Sequence, residues 1–213
     1  MKKINIPTKI TIARILLTGL LLVGLLVAYI AGLNGWQDQP LFDHGPYLVG
    51  LIAAIVFIIA SATDAVDGHL ARKWNQVTNL GKFLDPIADK MLVNSLLVYA
   101  AATMPFAPGQ MRIPWFCVVL MIVRDLIVDT MRLLAAKKNI VVPANIFGKL
   151  KTIFQMVAIP VVLLNGFPFG FFDYNWPELL RVGNLLIYLA TAMSLASGFI
   201  YLKANRSVLS EDE

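Results

Sequence analysis

Four aspartates stand close together in the sequence, inside or beside long apolar segments: Asp64, Asp67, Asp85 and Asp89. Asp64 and Asp67 are three residues apart, so on a helix their side chains point in directions only about 60° apart. Asp85 and Asp89 are four apart and share a helix face in the same way. Two helices meeting here would bring four carboxylates to one point. Carboxylate oxygens are hard ligands, so such a cluster suits Mg²⁺, Ca²⁺ or Mn²⁺ and not zinc.

Small residues accompany these aspartates. Gly68 lies one helical turn after Asp64, and Ala71 lies about two turns after it, so a phosphate or a flat ligand can approach the backbone closely there. Arg72 would stand at the membrane–water boundary as a partner for phosphate or carboxylate. The alternative is a pair of helix ends with solvated charges, where the small residues only pack one helix on another.

The stretch from Asp64 to Asp89 reads D-x2-D-G-x2-A-R-x8-G-x3-D-x3-D. It resembles the signature of the CDP-alcohol phosphotransferase family, with every fixed position filled. The resemblance implies an integral membrane enzyme that transfers a phosphatidyl or similar group from a CDP-linked donor to an alcohol. It leaves the alcohol open.

The resemblance also implies roles for individual residues. It assigns a divalent metal, Mg²⁺ or Mn²⁺, to the four aspartates, and it makes Asp85 and Asp89 catalytic, with Asp89 as the general base toward the attacking hydroxyl. The CDP moiety would be held by the first two aspartates and by a set of neighbouring residues: Asp64, Asp67, Gly68, Ala71, Arg72 and Gly81. A divalent cation would neutralise the pyrophosphate and stabilise the leaving CMP.

Composition points to a membrane protein. The chain has 213 residues, of which 58% are hydrophobic, and its mean hydropathy is +0.72, which is far too apolar for an ordinary soluble domain. The single Cys117 excludes an internal disulfide, and two histidines argue against a histidine-based zinc or catalytic site. The net charge of +5 suits a protein that lies against anionic lipid and handles phosphates.

Hydropathy predicts an all-α membrane protein with six transmembrane helices, in a single domain over residues 1–213. The first span has 19 uncharged residues, more than the roughly 7–15 of a signal-peptide core. A polar juxtamembrane segment (1–14), a basic connector (137–149) and a tail (203–213) complete the chain. The predicted spans are 15–33, 47–63 with a helical continuation to 74, about 83–104, about 114–136, 153–172 and 182–202. The fifth of these is expected to kink at Pro160 and to break near Gly166-Phe167-Pro168. Pro86 would lie in the first turn of the third span.

The basic residues predict an orientation. Of the 18 Lys and Arg, only Arg112 and Arg181 fall near one side of the predicted spans, while Arg124 lies within a span. Since basic loops stay in the cytoplasm, both termini and the acidic motif are expected there, in a multi-pass protein of the cell membrane. The active site would then lie at the cytoplasmic ends of helices 2 and 3.

The N-terminal stretch, Asn5-Ile6-Pro7-Thr8 followed by Thr11 and Arg14, resembles that of one branch of the family, the phosphatidylglycerophosphate synthases. In this interpretation Asn5 and Thr8 bond nucleotide or phosphate oxygens and contribute to CDP binding. The alternative is a plain helix N-cap with lysines that follow the positive-inside rule.

Arg124 is a charge inside a predicted span, and such a residue by default has a function and a partner. One interpretation joins Arg124, Lys149 and Lys151 in a basic pocket for a phosphate on the acceptor. The alternative pairs Arg124 with Asp125 or Asp129 of its own helix.

Residues 71–76 and 148–156 resemble the same branch of the family. This resemblance implies CDP-diacylglycerol as donor, sn-glycerol 3-phosphate as acceptor, and a homodimer in the lipid bilayer with no nucleic-acid partner. Inositol phosphate, phosphatidylglycerol and serine remain alternative acceptors. An ion-coupled transporter is a different possibility, but the acidic residues cluster at one end of the helices rather than at the midplane.

Overall fold

The computed structural model of the protein describes residues 5–43, 45–73, 78–102, 104–107, 109–138, 146–173 and 175–206; at positions 65–73, 79 and 82 it describes the backbone alone. Within these residues the fold is helical and contains no β-strand. The helices are α1 (Ile6–Leu33), α2 (Leu48–Lys73), α3 (Asn79–Ala101), α4 (Trp115–Lys137), α5 (Ile146–Leu163), α6 (Gly170–Asp173) and α7 (Val182–Ala204), with a 3₁₀ turn at Glu178–Leu180. The all-α prediction is confirmed for this part of the chain.

Three of the helices, α1, α5 and α7, are long and apolar enough to cross a membrane. The apolar part of α2, Leu48–Asp64, is shorter. Helices α3 and α4 have 23 residues each, and both carry several charged side chains. The helices that match the six predicted spans are therefore α1 to α5 and α7.

The long helices pack in two groups of three. Helix α1 lies against α2 and α3, whereas α7 lies against α5 and α4. Contacts of α2 with α5 and of α3 with α4 join the groups. At Gly50 the backbones of α2 and α5 approach closely, since an added Cβ would clash with the carbonyl oxygen of Leu163. The shared core holds fully buried side chains from both groups: Phe57, Leu96, Leu97, Phe106, Ile159, Leu163 and Ile187.

Two helix boundaries differ from the prediction in ways that move site residues. Helix α3 begins at Asn79, because the Thr78 hydroxyl caps it by accepting from the Gly81 amide at 3.0 Å. Pro86 therefore lies inside the helix and not in its first turn. This interior proline removes one backbone hydrogen bond directly beside Asp85.

Helix α5 runs from Ile146 to Leu163. The fifth span predicted at 153–172 was therefore wrong at its start, whereas the break predicted near Gly166-Phe167-Pro168 lies just after the end of the helix. The helix continues through Pro160 and ends where Asn165 and Gly166 take positive φ values of 58° and 87°. Since the helix begins seven residues earlier than predicted, Lys149 lies on its first turns and not in the basic connector.

Candidate functional site

The start of α1, the last third of α2 and the start of α3 meet in a polar cluster. Arg14 of α1, which is 3% exposed, forms an ion pair with Asp64 of α2. The second terminal nitrogen of its guanidinium lies 4.0 Å from Oδ1 of Asp85 in α3. The Thr11 hydroxyl of α1 donates to the same oxygen at 2.8 Å. We call Arg14, Thr11, Asp64, Asp85 and Asp89 the carboxylate site.

The carboxylates of this site are accessible. The side chains of Asp64 and Asp85 are 46% and 50% exposed, and Asp89, one helical turn after Asp85, is also exposed. Asp89 lies within electrostatic range of Asp64 and Arg14. A ligand can therefore reach the carboxylate oxygens even though the cation between them is buried.

The chemistry of this donor set fits a hard divalent cation, because aspartates from two helices already surround one positive charge. No three potential metal ligands lie close enough to hold an ion among the side chains that the structure describes. The side chain of Asp67, the fourth predicted ligand, is not among those that the structure describes. A loaded site would need Asp67 or a rearrangement of the other three aspartates.

Three more predicted CDP-binding residues, Gly68, Ala71 and Arg72, belong to the same helix as Asp64, and their side chains are likewise outside the described set. Their helical backbone agrees with the spacing argument that puts Gly68 and Ala71 beside Asp64.

Thr8 and Gly81 join the start of α1 to the start of α3. The hydroxyls of Thr8 and Thr78 are hydrogen-bonded at 2.8 Å, and a Cβ added at Gly81 would lie 3.1 Å and 3.3 Å from these two oxygens. Thr8 is 3% exposed, so its hydroxyl supports the helix contact. Asn5 occupies the N-cap position of α1, but its side chain makes no capping hydrogen bond.

A second polar region lies among α4, α5 and α7. It is a cavity of about 260 Å³ whose lining contains four cationic side chains, and we call it the basic cavity. The three residues predicted to bind the acceptor phosphate all line it. Its full lining is Arg124, Arg132, Gly148, Lys149, Lys151, Thr152, Ser197 and Tyr201.

Asp125 organises the basic cavity. Arg124 donates to Asp125 Oδ1 at 2.9 Å and to the Ser197 hydroxyl at 2.6 Å. Lys151 donates to both oxygens of Asp125, at 2.6 Å and 2.5 Å. One carboxylate thus neutralises half of the charge of two cations, so the cluster keeps a net positive charge. Asp129, the other partner considered for Arg124, pairs with Lys90 of α3.

Close packing fixes the Arg124 side chain. A Cβ added at Gly198 of α7 would lie 2.9 Å from Arg124 Cγ. Arg132 stacks over the ring of Tyr201 at 5.7 Å, which holds a further cation beside the cavity. Lys149, in contrast, is exposed at the edge. The cavity therefore offers fixed positive charges within and an exposed lysine at its rim.

The two regions are neighbours. Asp89 lies within electrostatic range of Lys151 and Asp125 as well as of Asp64. Charged groups of both regions therefore act on this one carboxylate.

Five residues of the two regions were given no binding or catalytic role from sequence: Arg14, Thr11, Asp125, Ser197 and Arg132. Thr11 and Arg14 were noted only within the N-terminal stretch, and Asp125 only as a possible partner of Arg124. A signal for the first two was present. The buried positions of α1 recur every three or four residues, as Thr8, Thr11, Arg14, Thr18, Leu21 and Leu25. Four polar side chains on one face of an otherwise apolar helix predict contact with other polar groups. Ser197 carried no such signal.

The model of the CDP-alcohol phosphatidyltransferase family matches residues 4–196. A relative from Bacillus subtilis (strain 168) is 37% identical over 205 residues, which cover 96% of this chain and 97% of the relative. A Rickettsia bellii protein is 32% identical with 94% of each chain covered, and a Salmonella choleraesuis protein is 34% identical with 96% and 97% covered. All three are named CDP-diacylglycerol–glycerol-3-phosphate 3-phosphatidyltransferase.

Proposed function

Because the chain belongs to the CDP-alcohol phosphatidyltransferase family, we propose that it transfers the phosphatidyl group of CDP-diacylglycerol to sn-glycerol 3-phosphate. The products are phosphatidylglycerophosphate and CMP. The observation that carries this proposal is the pairing of the carboxylate site with a basic cavity next to it, with Asp89 in electrostatic range of both. An anionic acceptor needs such a cavity, whereas a neutral alcohol does not.

The donor binds at the carboxylate site. Asp64, Asp67, Asp85 and Asp89 would hold Mg²⁺ or Mn²⁺, and the bound cation would neutralise the pyrophosphate and stabilise the leaving CMP. Gly68, Ala71, Arg72 and Gly81, together with Asn5 and Thr8, hold the CDP moiety.

The acceptor phosphate binds in the basic cavity. Arg124 offers a planar fork and Lys149 and Lys151 offer point charges, which together match a phosphate dianion. Asp89 takes the proton of the acceptor hydroxyl while the oxygen of that hydroxyl attacks the phosphorus that carries diacylglycerol. A new P–O bond forms, the P–O bond to CMP breaks, and CMP departs with the electron pair.

The lipid donor also explains why this chemistry lies on membrane helices. We propose six spans, α1 to α5 and α7, with both termini and the carboxylate site on the cytoplasmic side. A cavity of about 250 Å³ between α1 and α2 supports a place for an acyl chain, since its lining begins one helical turn after Arg14. The lining is apolar throughout: Leu17, Leu20, Leu21, Gly24, Leu25, Ala28, Val49, Ile52 and Val56. We also propose a homodimer in the bilayer, on the family resemblance alone.

The test is CMP release by the purified protein with CDP-diacylglycerol, Mg²⁺ or Mn²⁺, and a panel of alcohols. Glycerol 3-phosphate should be used at least about tenfold faster than inositol phosphate, phosphatidylglycerol or serine. Release with another alcohol but not with glycerol 3-phosphate would show that the proposed acceptor is wrong, whereas the proposed reaction class would still hold. No release with any alcohol would overturn the proposal.

A further inference from the structure

Arg14 is a buried cation at the meeting point of three helices. It is 3% exposed and lies on α1, a helix that is otherwise long and apolar. A charge in such a place is stable only where opposite charges compensate it. Its guanidinium pairs with Asp64 of α2 and lies 4.0 Å from an oxygen of Asp85 in α3.

The same cation also acts on Asp89, which lies within its electrostatic range. Arg14 therefore pairs with Asp64, lies beside Asp85 and acts on Asp89 at longer range. Without it, Asp64, Asp85 and Asp89 would repel one another across the α2–α3 contact. The Thr11 hydroxyl, one turn before Arg14, fixes the second aspartate by its hydrogen bond at 2.8 Å.

We propose that Arg14 is a positioning residue that serves as a permanent counter-ion for the metal-binding aspartates. It holds Asp64 and Asp85 in place and keeps the three helices together when no divalent cation is bound. The inference rests on the proposed metal site. It means that the guanidinium and a bound divalent cation partly replace one another in neutralising the same carboxylates.

The experiment compares thermal unfolding of the purified protein in a chelator and in saturating Mn²⁺, followed by the fluorescence of the four tryptophans. In the chelator, Arg14→Gln should lower the Tm by at least about 5 °C, because it leaves the aspartates without their partner. Saturating Mn²⁺ should restore at least about half of that loss. The metal-induced rise in Tm should thus be larger in the variant than in the unmodified protein.

Arg112→Gln is the matched control. It also removes the cation of an ion pair, with Glu178 at 3.9 Å, but Arg112 precedes α4 at the opposite end of the helices. Its change in Tm should be the same in chelator and in Mn²⁺. Arg14→Lys, which keeps the charge and loses the fork, should fold and should show a smaller, still metal-dependent loss.

The outcomes separate this inference from the proposed function. If Arg14→Gln, or Arg14→Lys where the first variant does not fold, loses the same Tm with and without Mn²⁺, Arg14 only packs the helices and the inference is overturned. The CMP-release assay would then still stand. If Mn²⁺ stabilises neither the unmodified protein nor its variants, the metal site fails and the inference fails with it.

Discussion

The carboxylate site and the basic cavity are built on the same plan with opposite signs. In the first, one buried arginine, Arg14, pairs with Asp64, lies 4.0 Å from an oxygen of Asp85 and is within electrostatic range of Asp89. In the second, several cations surround one aspartate, Asp125. Each region thus keeps an excess of one sign, and its internal counter-ion compensates only part of that excess. The comparison shows how one fold keeps two opposite charged sites apart in adjacent helix groups.

The two regions differ in access. The side chains of Asp64 and Asp85 are about half exposed, 46% and 50%, whereas those of Arg124 and Lys151 are 13% and 9% exposed. An open site suits a large donor with a nucleotide and two acyl chains. A cavity whose inner cations are buried suits a small acceptor, because burial strengthens charge-assisted bonds. The difference therefore agrees with the proposed assignment of substrates.

The largest effect is expected from removing charge at the carboxylate site. Asp85→Asn and Asp67→Asn should each reduce transfer at least about 1000-fold, because an amide lacks the charge that a hard cation needs. At position 85 the amide oxygen can still accept from Thr11, so folding should persist. CMP release at saturating metal measures the loss, and the Tm measures folding. Near-normal turnover in either folded variant would remove the metal-site assignment.

The second prediction tests whether both regions open to the cytoplasm. In a Cys117→Ser background, a cysteine at Asn34, after the end of α1, should react at least about tenfold faster with a membrane-impermeant thiol reagent in intact cells than one at Arg206, after α7. The reason is that the proposed six spans put these positions on opposite sides. Permeabilised cells serve as the control and should label both. The topology is wrong if Arg206→Cys labels without permeabilisation.

The fold was more predictable from sequence than the carboxylate site. Long apolar segments, and the proline, glycine and polar residues that interrupt them, predict where helices lie. Helices α4 and α7 therefore start within one residue of the predicted spans. Spacing alone gives the aspartate faces. Arg14 was not recognised, because a basic residue near the start of a first span is equally explained by the positive-inside rule. Its role depends on the crossing of α1 with α2 and α3, which no local pattern encodes.

The same limit explains the fifth helix. The polar residues Lys149 and Lys151 interrupt the hydropathy signal, so the predicted span began after them. In the structure Lys151 forms an ion pair with Asp125 of α4. Because this pair compensates its charge, Lys151 can be buried within α5. The charge on Arg124 raised the correct question about a partner, and Asp125 is that partner. The sequence did not predict that Lys151 binds the same carboxylate as Arg124.

The third prediction separates acceptor from donor. Lys149→Ala should raise the KM for glycerol 3-phosphate at least about tenfold and leave that for CDP-diacylglycerol within about threefold, since losing a charge-assisted bond acts on the phosphate it contacts. Lys149 is the cleaner variant, because Lys151→Ala would leave Asp125 with one partner fewer in a buried place.

The matched control for this prediction is Lys203→Ala, an exposed lysine in the last turn of α7 that does not line the basic cavity. It should change neither KM by more than about twofold. Unphosphorylated glycerol should also be a poor acceptor. Equal changes of both KM values in Lys149→Ala would mean that the residue is structural or touches the donor.

The smallest effect is expected at the apolar cavity between α1 and α2. Gly24→Phe would fill it, because a Cβ at this position meets nothing within 4 Å. An acyl chain excluded from the cavity moves into equally apolar lipid, so only packing contacts are lost and the KM for a long-chain donor should rise about threefold. A donor with short acyl chains should be unaffected. Gly19→Phe is the matched control, since Gly19 has the same free space but does not line the cavity. If both variants change the KM for long- and short-chain donors alike, the cavity does not hold the donor's acyl chain, and the carboxylate site must receive its lipid from another face of the helices.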